Sequence, residues 1–245
     1  MPVNLRRRVL PFVTAVSAVA VLASGCGFEE EGPKPGVAAE VDGRTLALEQ
    51  VDEVVEEYCA LRAEHPEATP ASRASVRAQF VLGWVQAVAV ERLAPEYDVA
   101  LPPEKVNRTA VQASWGDLGE IDDANYEAFE WLTWIEARLT EPVESLGSRK
   151  LEEEGGQGAV GQPAVDRGVA LIQEWMQEQD PHLNPVLGEP DLEAGRFAGD
   201  ALSVPVSDEA RQATSTEQSA DYLAGLPEGQ RCGPAVATQG QVPAA

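Results

Sequence analysis

The chain has 245 residues, and its 18 basic and 41 acidic side chains give it a formal charge of −23 at pH 7. Nucleic-acid binding depends on lysine and arginine meeting phosphates, so this charge argues against a nucleic-acid ligand. It also opposes adsorption onto anionic lipid, so residence at a membrane would require a separate anchor.

The N-terminus has the layout of a secretory signal. The cationic residues Arg6 to Arg8 precede an apolar stretch from Val9 to Leu22, which is too short for a membrane span of about 20 residues. Small residues then lead into a cysteine. The run Ala23-Ser24-Gly25-Cys26 resembles the end of a bacterial lipoprotein signal, with Ala23 where that family prefers leucine.

The lipoprotein resemblance implies that residues 1–25 are removed and that Cys26 carries at least two acyl chains, which suffice for stable membrane attachment. The protein would then sit on the extracytoplasmic face of the cell membrane. The alternative is an ordinary signal that is cleaved nearby and leaves Cys26 as a free thiol. Loss of the three signal arginines leaves 15 basic and 41 acidic residues, a charge near −26.

The remaining chain of about 220 residues is long enough for one main domain. We expect a flexible linker at 26–36, because glutamate, proline and glycine dominate there and cannot build a core. A single domain is expected over 37–232, with an acidic, Gly-rich loop near 152–163. The tail at 233–245 is expected to be disordered.

Two cysteines remain in the expected domain, Cys59 and Cys232. In an exported protein an even number of cysteines favours a disulfide. A bridge between them would enclose 172 residues. By the chain-entropy argument it would contribute about 5 kcal/mol. The alternative is a buried Cys59 on a helix and a free thiol at Cys232.

The predicted fold class is mainly α, a helical domain with a short N-terminal β-hairpin. Strands are predicted at Val37 to Val41 and Arg44 to Leu46, around Asp42-Gly43, a pair suited to a turn with two positive φ angles. A helix is expected directly afterwards, because apolar residues recur at three- and four-residue steps. Its buried face would hold Val51, Val54, Val55, Tyr58 and Arg62.

Further helices are predicted along the chain. Thr69 as N-cap and Pro70 at the first helical position predict a long helix that ends near Leu93. Others are predicted from Pro103 to about Trp115 and from a cap at Asp122 to about Leu139. Two later elements are a short helix from Ala220 to Leu226 and a candidate edge strand from Leu202 to Val206. Another helical face would hold Val165, Val169, Ile172, Trp175 and Met176.

The sequence holds no recognisable catalytic or metal-binding pattern. The two histidines, His65 and His182, adjoin prolines and lie outside metal-ligand spacing. We find no nucleophile elbow, phosphate loop or calcium loop. Acidic residues of the first helix alternate with its apolar stripe, which indicates a solvated face instead of an acid–base pair. We therefore predict no enzyme, no cofactor and no metal.

One short motif needs weighing because it suggests an activity. The residues Gly116-Asp117-Leu118-Gly119 are similar to an element of parvulin-type prolyl isomerases. A parvulin domain, however, needs several strands and a pair of buried histidines, whereas this region is predicted to be helical and lacks histidine. We therefore do not expect isomerase activity.

The segment from Val37 to Leu46 and the helix after it resemble the opening of the SurA N-terminal, chaperone-like domain family. That family begins with a strand, a Val-Asn/Asp-Gly turn, a short strand and a helix. The similar order of elements extends to about Leu139. Ala47 stands where the family usually has a serine or threonine cap.

Composition and a second short motif suggest an actinobacterial source. Fifteen arginines stand against three lysines, as in proteins from high-GC genomes. Asn184-Pro185, with Gly188 after it, partly resembles an Asn-Pro-Arg-Tyr-Gly element of actinobacterial lipoproteins in this group. Val186 and Leu187 replace the arginine and tyrosine.

The SurA resemblance implies a chaperone-like protein whose helices bind non-native exported polypeptides. Trp84, Trp131 and Trp134 are the candidate client contacts, with plain core packing as the alternative for each. A second hypothesis is an accessory or structural envelope lipoprotein that docks one specific folded partner through the same helices. Both hypotheses require an apolar surface that a partner can reach.

Overall fold

A computed structural model describes residues 34–156, 159–191, 196–198 and 218–235, and all structural statements below concern these residues. Several expectations lie outside them: the signal at 1–25 with Cys26, the linker before Lys34, the edge strand from Leu202 to Val206, and the tail beyond residue 235. Within the described residues the fold is mainly helical with short strands, as predicted.

The helices are α1 (Leu48–Ala63), α2 (Arg73–Leu93), α3 (Arg108–Trp115), α4 (Tyr126–Leu139), α5 (Glu141–Glu153), α6 (Gln162–Gln179) and α7 (Ala220–Gly225). The strands are β1 (Val37–Val41), β2 (Arg44–Ala47), β3 (Ala71–Ser72), β4 (His182–Leu183), β5 (Glu189–Asp191), β6 (Arg196–Ala198) and β7 (Arg231–Cys232). Among the described helices, none combines the length and apolar character that crossing a bilayer requires.

The predicted N-terminal hairpin forms and belongs to a three-stranded antiparallel sheet of order β2-β1-β4. Asp42 and Gly43 make the turn with φ angles of 51° and 71°, as the hairpin requires. The sequence does not predict β4, because two residues carry no alternation pattern. Asn184 holds β4 in place, since its backbone N–H donates to Ala38 O and its side-chain amide donates to Val37 O.

The packed body begins before Val37. The side chain of Lys34 pairs with Glu40 at 2.5 Å, within the segment expected to be a linker. The carbonyl oxygen of Gly36 accepts a hydrogen bond from Leu48 N at 2.9 Å. Helix α1 can therefore start after Ala47, which offers no side-chain cap, because the chain at Gly36 satisfies one of its free N–H groups.

The start of α2 differs from the prediction. Ser72, not Thr69, is the N-cap, and its Oγ accepts from Ser75 N at 3.1 Å. The preceding Ala71–Ser72 backbone is extended because it pairs with β7. Pro70 therefore precedes a strand instead of opening the helix. A contact with the distant C-terminal part of the chain overrides the local Thr-Pro signal.

Helices α3 and α4 also begin later than predicted. Asn107 caps α3 by accepting from Ala110 N at 3.0 Å, so Pro103 lies outside the helix. Asp122 accepts from Ala124 N and Asn125 N, at 2.8 and 3.1 Å. It closes a turn ahead of α4 and does not cap the helix. The predicted ends at Trp115 and Leu139 are confirmed.

Helices α5 and α6 form a closely packed hairpin, of which the sequence predicts only α6. Helix α5 is not predicted, and the loop that follows it is shorter than expected because α5 continues to Glu153. Gly147 and Gly168 allow the close approach: a Cβ at Gly147 would lie 2.6 Å from Gly168 N and closer still to Ala164 O. The buried face of α6 is Ala164, Gly168, Leu171, Ile172 and Met176, whereas Val169 is 39% exposed.

The C-terminal segment is attached to α1 and to the start of α2. The structure places Cys59 and Cys232 as a disulfide, with a Cα–Cα distance of 4.6 Å. Strand β7 pairs with β3, and the Gln218 side chain exchanges two hydrogen bonds with Ser72, at 3.1 and 2.9 Å. These contacts make residues 218–235 part of the packed body.

Helix α2 lies at the centre of the main core. Val81, Val85, Val88 and Val90 are fully buried, so α2 is covered on several faces. The hairpin and helices α1, α4, α5 and α6 pack around it, while a second apolar cluster lies between α1, α3 and α4.

Candidate functional site

The three tryptophans predicted as client contacts differ in exposure. Trp84 is 8% exposed and belongs to the main core. Trp131 and Trp134 are half-buried and pack against that core from α4. The Trp134 ring is also covered by the guanidinium of Arg138, whose Cζ lies 4.2 Å from the ring centroid. Of these three tryptophans, only Trp131 and Trp134 therefore have ring surface that a partner could contact.

The other aromatic residues near α4 mostly pack on one another. Tyr58 meets Phe80 and Trp115 edge to face, with ring centroids 5.1 and 5.9 Å apart. Phe80 meets Trp131 at 6.5 Å, and Trp115 meets Phe129 at 5.7 Å. Such pairs stabilise a core beyond their buried area. The aromatic residues of these helices thus form a packed cluster among themselves.

A buried ion pair fixes the position of α4 beside α2. Arg138 is 2% exposed, and its Nε donates to Glu91 Oε1 at 2.6 Å. The second oxygen of Glu91 accepts from Arg44 of the hairpin at 2.5 Å. Burial raises the pKa of Glu91, but the two guanidinium hydrogen bonds outweigh it and hold that pKa below its usual value. The arrangement neutralises a buried charge and indicates a structural role.

Two clefts are lined by successive parts of the segment that joins α2 to α3. The first, of about 360 Å³, lies against α3 and α4. Its walls are largely apolar and include Pro102, Pro103, Val106, Ala110 and Ala137. Thr133 lies at its floor and accepts from Trp115 Nε1 at 3.0 Å.

The second cleft, of about 890 Å³, lies against the first turns of α5. Pro102 lines this cleft as well, so the two clefts adjoin. Val99, Leu101 and Val160 contribute apolar surface, and Val160 is 80% exposed. Its charged lining residues are Asp98, Glu141, Glu144, Glu152 and Arg149.

The backbone that lines the two clefts has unpaired N–H and C=O groups. Val99 N donates to Ala94 O at 2.9 Å, and Val106 O accepts from the Tyr126 hydroxyl at 3.1 Å. Between them, residues 100–105 make no backbone hydrogen bond to any other part of the described chain. Pro102 and Pro103 favour an extended conformation here. An extended backbone with free N–H and C=O groups can pair with an added strand.

The histidines do not form a reactive group in the structure. His65 Nε2 lies 2.8 Å from Asp117 O, which joins the end of α1 to the short turn directly after α3. His182 lies opposite Glu40 in the sheet, and its Nε2 has no hydrogen-bond partner among the described residues. In the part of the chain that the structure describes, no group of three or more His, Cys, Asp or Glu side chains is placed to hold a metal ion.

Comparison with protein-family models, with curated proteins and with solved structures finds no match to this chain. The resemblance to the SurA N-terminal domain therefore remains a prediction from the hairpin and the helices that follow it.

Sequence reasoning missed the clefts. The dipeptide Pro102-Pro103 was interpreted as a break followed by a helix from Pro103, although consecutive prolines also favour an extended chain. The acidic lining of the second cleft comes from Asp98 and from α5, a helix that was not predicted. The Pro-Pro pair could therefore have indicated an extended segment at the clefts. No pattern in the sequence indicates that α5 packs beside it.

Proposed function

We propose that this protein is an extracytoplasmic lipoprotein, held at the membrane through Cys26, whose helical body binds another polypeptide without catalysing a reaction. The observation that carries the proposal is the pair of clefts along residues 99–106. Binding sites are typically concave and mostly apolar, with a few polar groups for orientation. Here apolar walls lie beside a stretch of unpaired, extended backbone, which suits a polypeptide ligand.

The burial of the aromatic residues favours one specific partner over many non-native clients. General binding of unfolded chains needs a broad apolar surface. Trp84 is in the core, and the large apolar side chains exposed within the described residues come from separate elements: Val160, Val169 and Val186. Recognition at two defined clefts is more selective than adsorption onto a wide apolar face.

A chaperone-like function is the second candidate. The half-exposed Trp131 and Trp134 and the resemblance of the N-terminal hairpin to SurA N-terminal domains favour it. The acidic surface would keep the unoccupied protein soluble in either case. The two candidates differ in the number of partners and in the need for a folded partner.

Photo-crosslinking in cells tests the proposal and separates the candidates. A photoreactive residue placed at Pro103, in the first cleft, should give one dominant adduct, while the same residue at Glu53 on the exposed face of α1 serves as the control. Many heterogeneous adducts at Pro103, together with suppressed aggregation of an unfolded protein, would favour the chaperone-like function. Equal adducts at both positions, or none, would contradict binding at the clefts.

Replacement of the lipidated cysteine tests the anchor separately. The Cys26→Ala variant should move from the membrane fraction to the soluble extracytoplasmic fraction, because the acidic body has no attraction to anionic lipid. Incorporation of labelled palmitate should disappear in the same variant. A Cys26→Ala protein that stays with the membrane would contradict anchoring at this residue.

A further inference from the structure

We propose that the two clefts bind an extended polypeptide segment in which lysine or arginine alternates with aliphatic residues. The inference rests on the proposed function, because it specifies the chemistry of the polypeptide. Its basis is charge complementarity across the second cleft, combined with the apolar walls and the unpaired backbone that the two clefts share.

The second cleft carries an uncompensated negative charge. Four of its lining side chains are carboxylates, and Arg149 is the only cation among them. Arg149 pairs with Glu152 at 3.3 Å. Glu144 is also engaged, because it accepts a hydrogen bond from Gly161 N at 2.6 Å. Asp98 and Glu141 have no ion-pair partner within the described part of the chain, and these two carboxylates are left to meet a cation.

The apolar surface of the clefts suits aliphatic side chains of modest size. Val99, Leu101 and Pro142 line the second cleft, and the exposed side chain of Val160 adds to its rim. The first cleft continues this surface beyond Pro102 with proline, valine and alanine side chains. Neither cleft has an aromatic side chain in its lining, so stacking on aromatic rings does not contribute to recognition.

The extended geometry follows from the backbone of residues 100–103, which lies outside helices and turns and ends at a bend formed by Glu104 and Lys105. Within it the N–H groups of Ala100 and Leu101 and the carbonyl groups make no backbone hydrogen bond to the described chain, and the two prolines carry no N–H group. A ligand strand could satisfy such groups, and its side chains would then point alternately to opposite sides. Cationic and aliphatic side chains match the carboxylates of the second cleft and the apolar residues of both clefts. The charged lining of the first cleft is one cation, Lys105, and one carboxylate, Glu136, so the cationic residues are assigned to the second cleft.

Binding of short synthetic peptides to the whole protein tests the inference. The probes are a fluorescein-labelled peptide of alternating lysine and valine and its counterpart with glutamate for lysine, followed by fluorescence anisotropy. We expect the lysine peptide to bind at least about 10-fold more tightly than the glutamate peptide at low salt, with the difference shrinking as salt screens the charges. Equal affinity for the two peptides would overturn the inference.

A matched pair of charge variants locates the binding site. The double variant Asp98→Asn/Glu141→Gln should weaken lysine-peptide binding by about 3- to 10-fold, because exposed ion pairs are individually weak. Asparagine tolerates the φ of 51° at Asp98, so the turn is kept. The control Glu53→Gln/Glu56→Gln removes the same charge from the exposed face of α1. Equal effects of the two variants would overturn the location.

The apolar contribution has its own matched pair. Val160→Ser should weaken binding by about 3-fold, since it removes apolar area at the rim of the second cleft. Val186→Ser alters another exposed valine outside both clefts and should leave the affinity unchanged. Both sites are exposed, so the variants should fold, which circular dichroism and thermal unfolding would verify. Wild-type affinity for Val160→Ser would overturn the apolar half of the inference.

The peptide and cross-linking experiments fail in different ways. If no peptide binds while Pro103 still gives one dominant cross-link, the cationic segment is wrong and the polypeptide-binding function stands. If the peptides bind only through non-cleft residues, as shown by equal losses in the control variants, the location is wrong. If neither peptides nor a cross-linked partner is found, both the inference and the proposed function are wrong.

Discussion

A single carboxylate, Glu91, connects three elements of the fold. It lies on α2 and bonds to Arg44 of the hairpin and to Arg138 of α4. Arg138 cannot reach solvent, because it is 2% exposed. Its charge is stabilised by Glu91, by the carbonyl oxygen of Trp134 at 3.3 Å and by the Trp134 ring. The pairing of α4 with α2 is therefore sensitive to one side chain.

Replacing Glu91 by glutamine should destabilise the protein by about 3 kcal/mol, because it leaves the buried charge of Arg138 without a counter-charge. Urea unfolding followed by circular dichroism would measure the change. Glu96→Gln removes an exposed carboxylate just beyond α2 and should shift the free energy of unfolding by less than about 0.5 kcal/mol. Similar effects of the two substitutions would show that the pair does not stabilise the fold.

The lowered pKa of Glu91 gives this interaction a pH dependence. A carboxylate whose pKa is lower in the folded than in the unfolded state stabilises the protein above the unfolded pKa of about 4.3. That stabilisation is lost as the pH falls through the folded-state pKa. We expect the stability difference between wild type and Glu91→Gln to shrink as the pH falls from about 6 to about 3, as measured by urea midpoints. A constant difference would contradict the shift.

At the scale of elements, the α5–α6 hairpin depends on glycines that a sequence pattern treats as helix breakers. A Cβ at Gly168 would approach Val143 O and lie 2.9 Å from the carbonyl carbon of Val143. The equivalent contact of Gly147 is with Ala164 and Gly168. The helices thus meet backbone to backbone, and the low helix propensity of glycine is the cost of that approach.

Gly147→Ala should therefore destabilise the protein by about 1 to 3 kcal/mol, although alanine is the better helix former. Thermal unfolding is the measurement. Gly225→Ala, at the end of α7, places its Cβ in open space and should be neutral or slightly stabilising. Stabilisation by Gly147→Ala would show that α5 and α6 are not held as close as the structure places them.

These elements also show what the sequence could and could not predict. The hairpin and the long apolar stripe of α2 follow from local patterns, since Asp42-Gly43 and the recurring valines act within a few residues. The starts of α2 and α3 do not. Ser72 caps α2 because β7, far away in the sequence, holds the preceding residues extended. Helix α5 is not predicted because Gly147 and Lys150 interrupt the apolar stripe that Val143 and Leu146 begin.

The candidate site was predictable only in part, for similar reasons. Trp131 and Trp134 are partly exposed on α4, but Trp84 lies in the core because α2 is covered on several faces. Burial on all sides depends on which elements surround a helix, and the sequence of the helix alone does not specify those elements. The clefts arise between elements distant in sequence, so their acidic lining could not be assembled from the sequence.

At the scale of the whole molecule, long-range contacts connect the C-terminal part of the described chain to α1 and to the start of α2. The disulfide joins residues 173 positions apart, and the pairing of β3 with β7 lies beside it. Cys59 and Cys232 are both buried, at 2% and 0% exposure. Cross-linking a long loop restricts the unfolded chain and so stabilises the folded one.

The variant Cys59→Ala/Cys232→Ala should lose about 3 to 5 kcal/mol of stability. When the wild type is unfolded in the presence of a reducing agent, its unfolding midpoint should fall close to that of the variant. Limited proteolysis should then release a fragment that contains residues 218–235 before the helices are cut, because this segment keeps only the pairing of β7, the Gln218 hydrogen bonds and a small buried surface that includes Leu223. Unchanged stability after reduction would show that the helical core alone determines the unfolding free energy.

The position of β7 near the end of the described chain also affects the order in which contacts can form. A chain emerges from the ribosome N-terminus first, so Ala71, Ser72 and Cys59 appear long before Arg231 and Cys232. The edge of β1 similarly waits for His182 and Leu183. Contacts between such distant residues form slowly. Until β4 and β7 have been synthesised, the edge of β1 is unpaired and Cys59 has a free thiol. The incomplete chain therefore exposes groups that the folded protein buries or pairs.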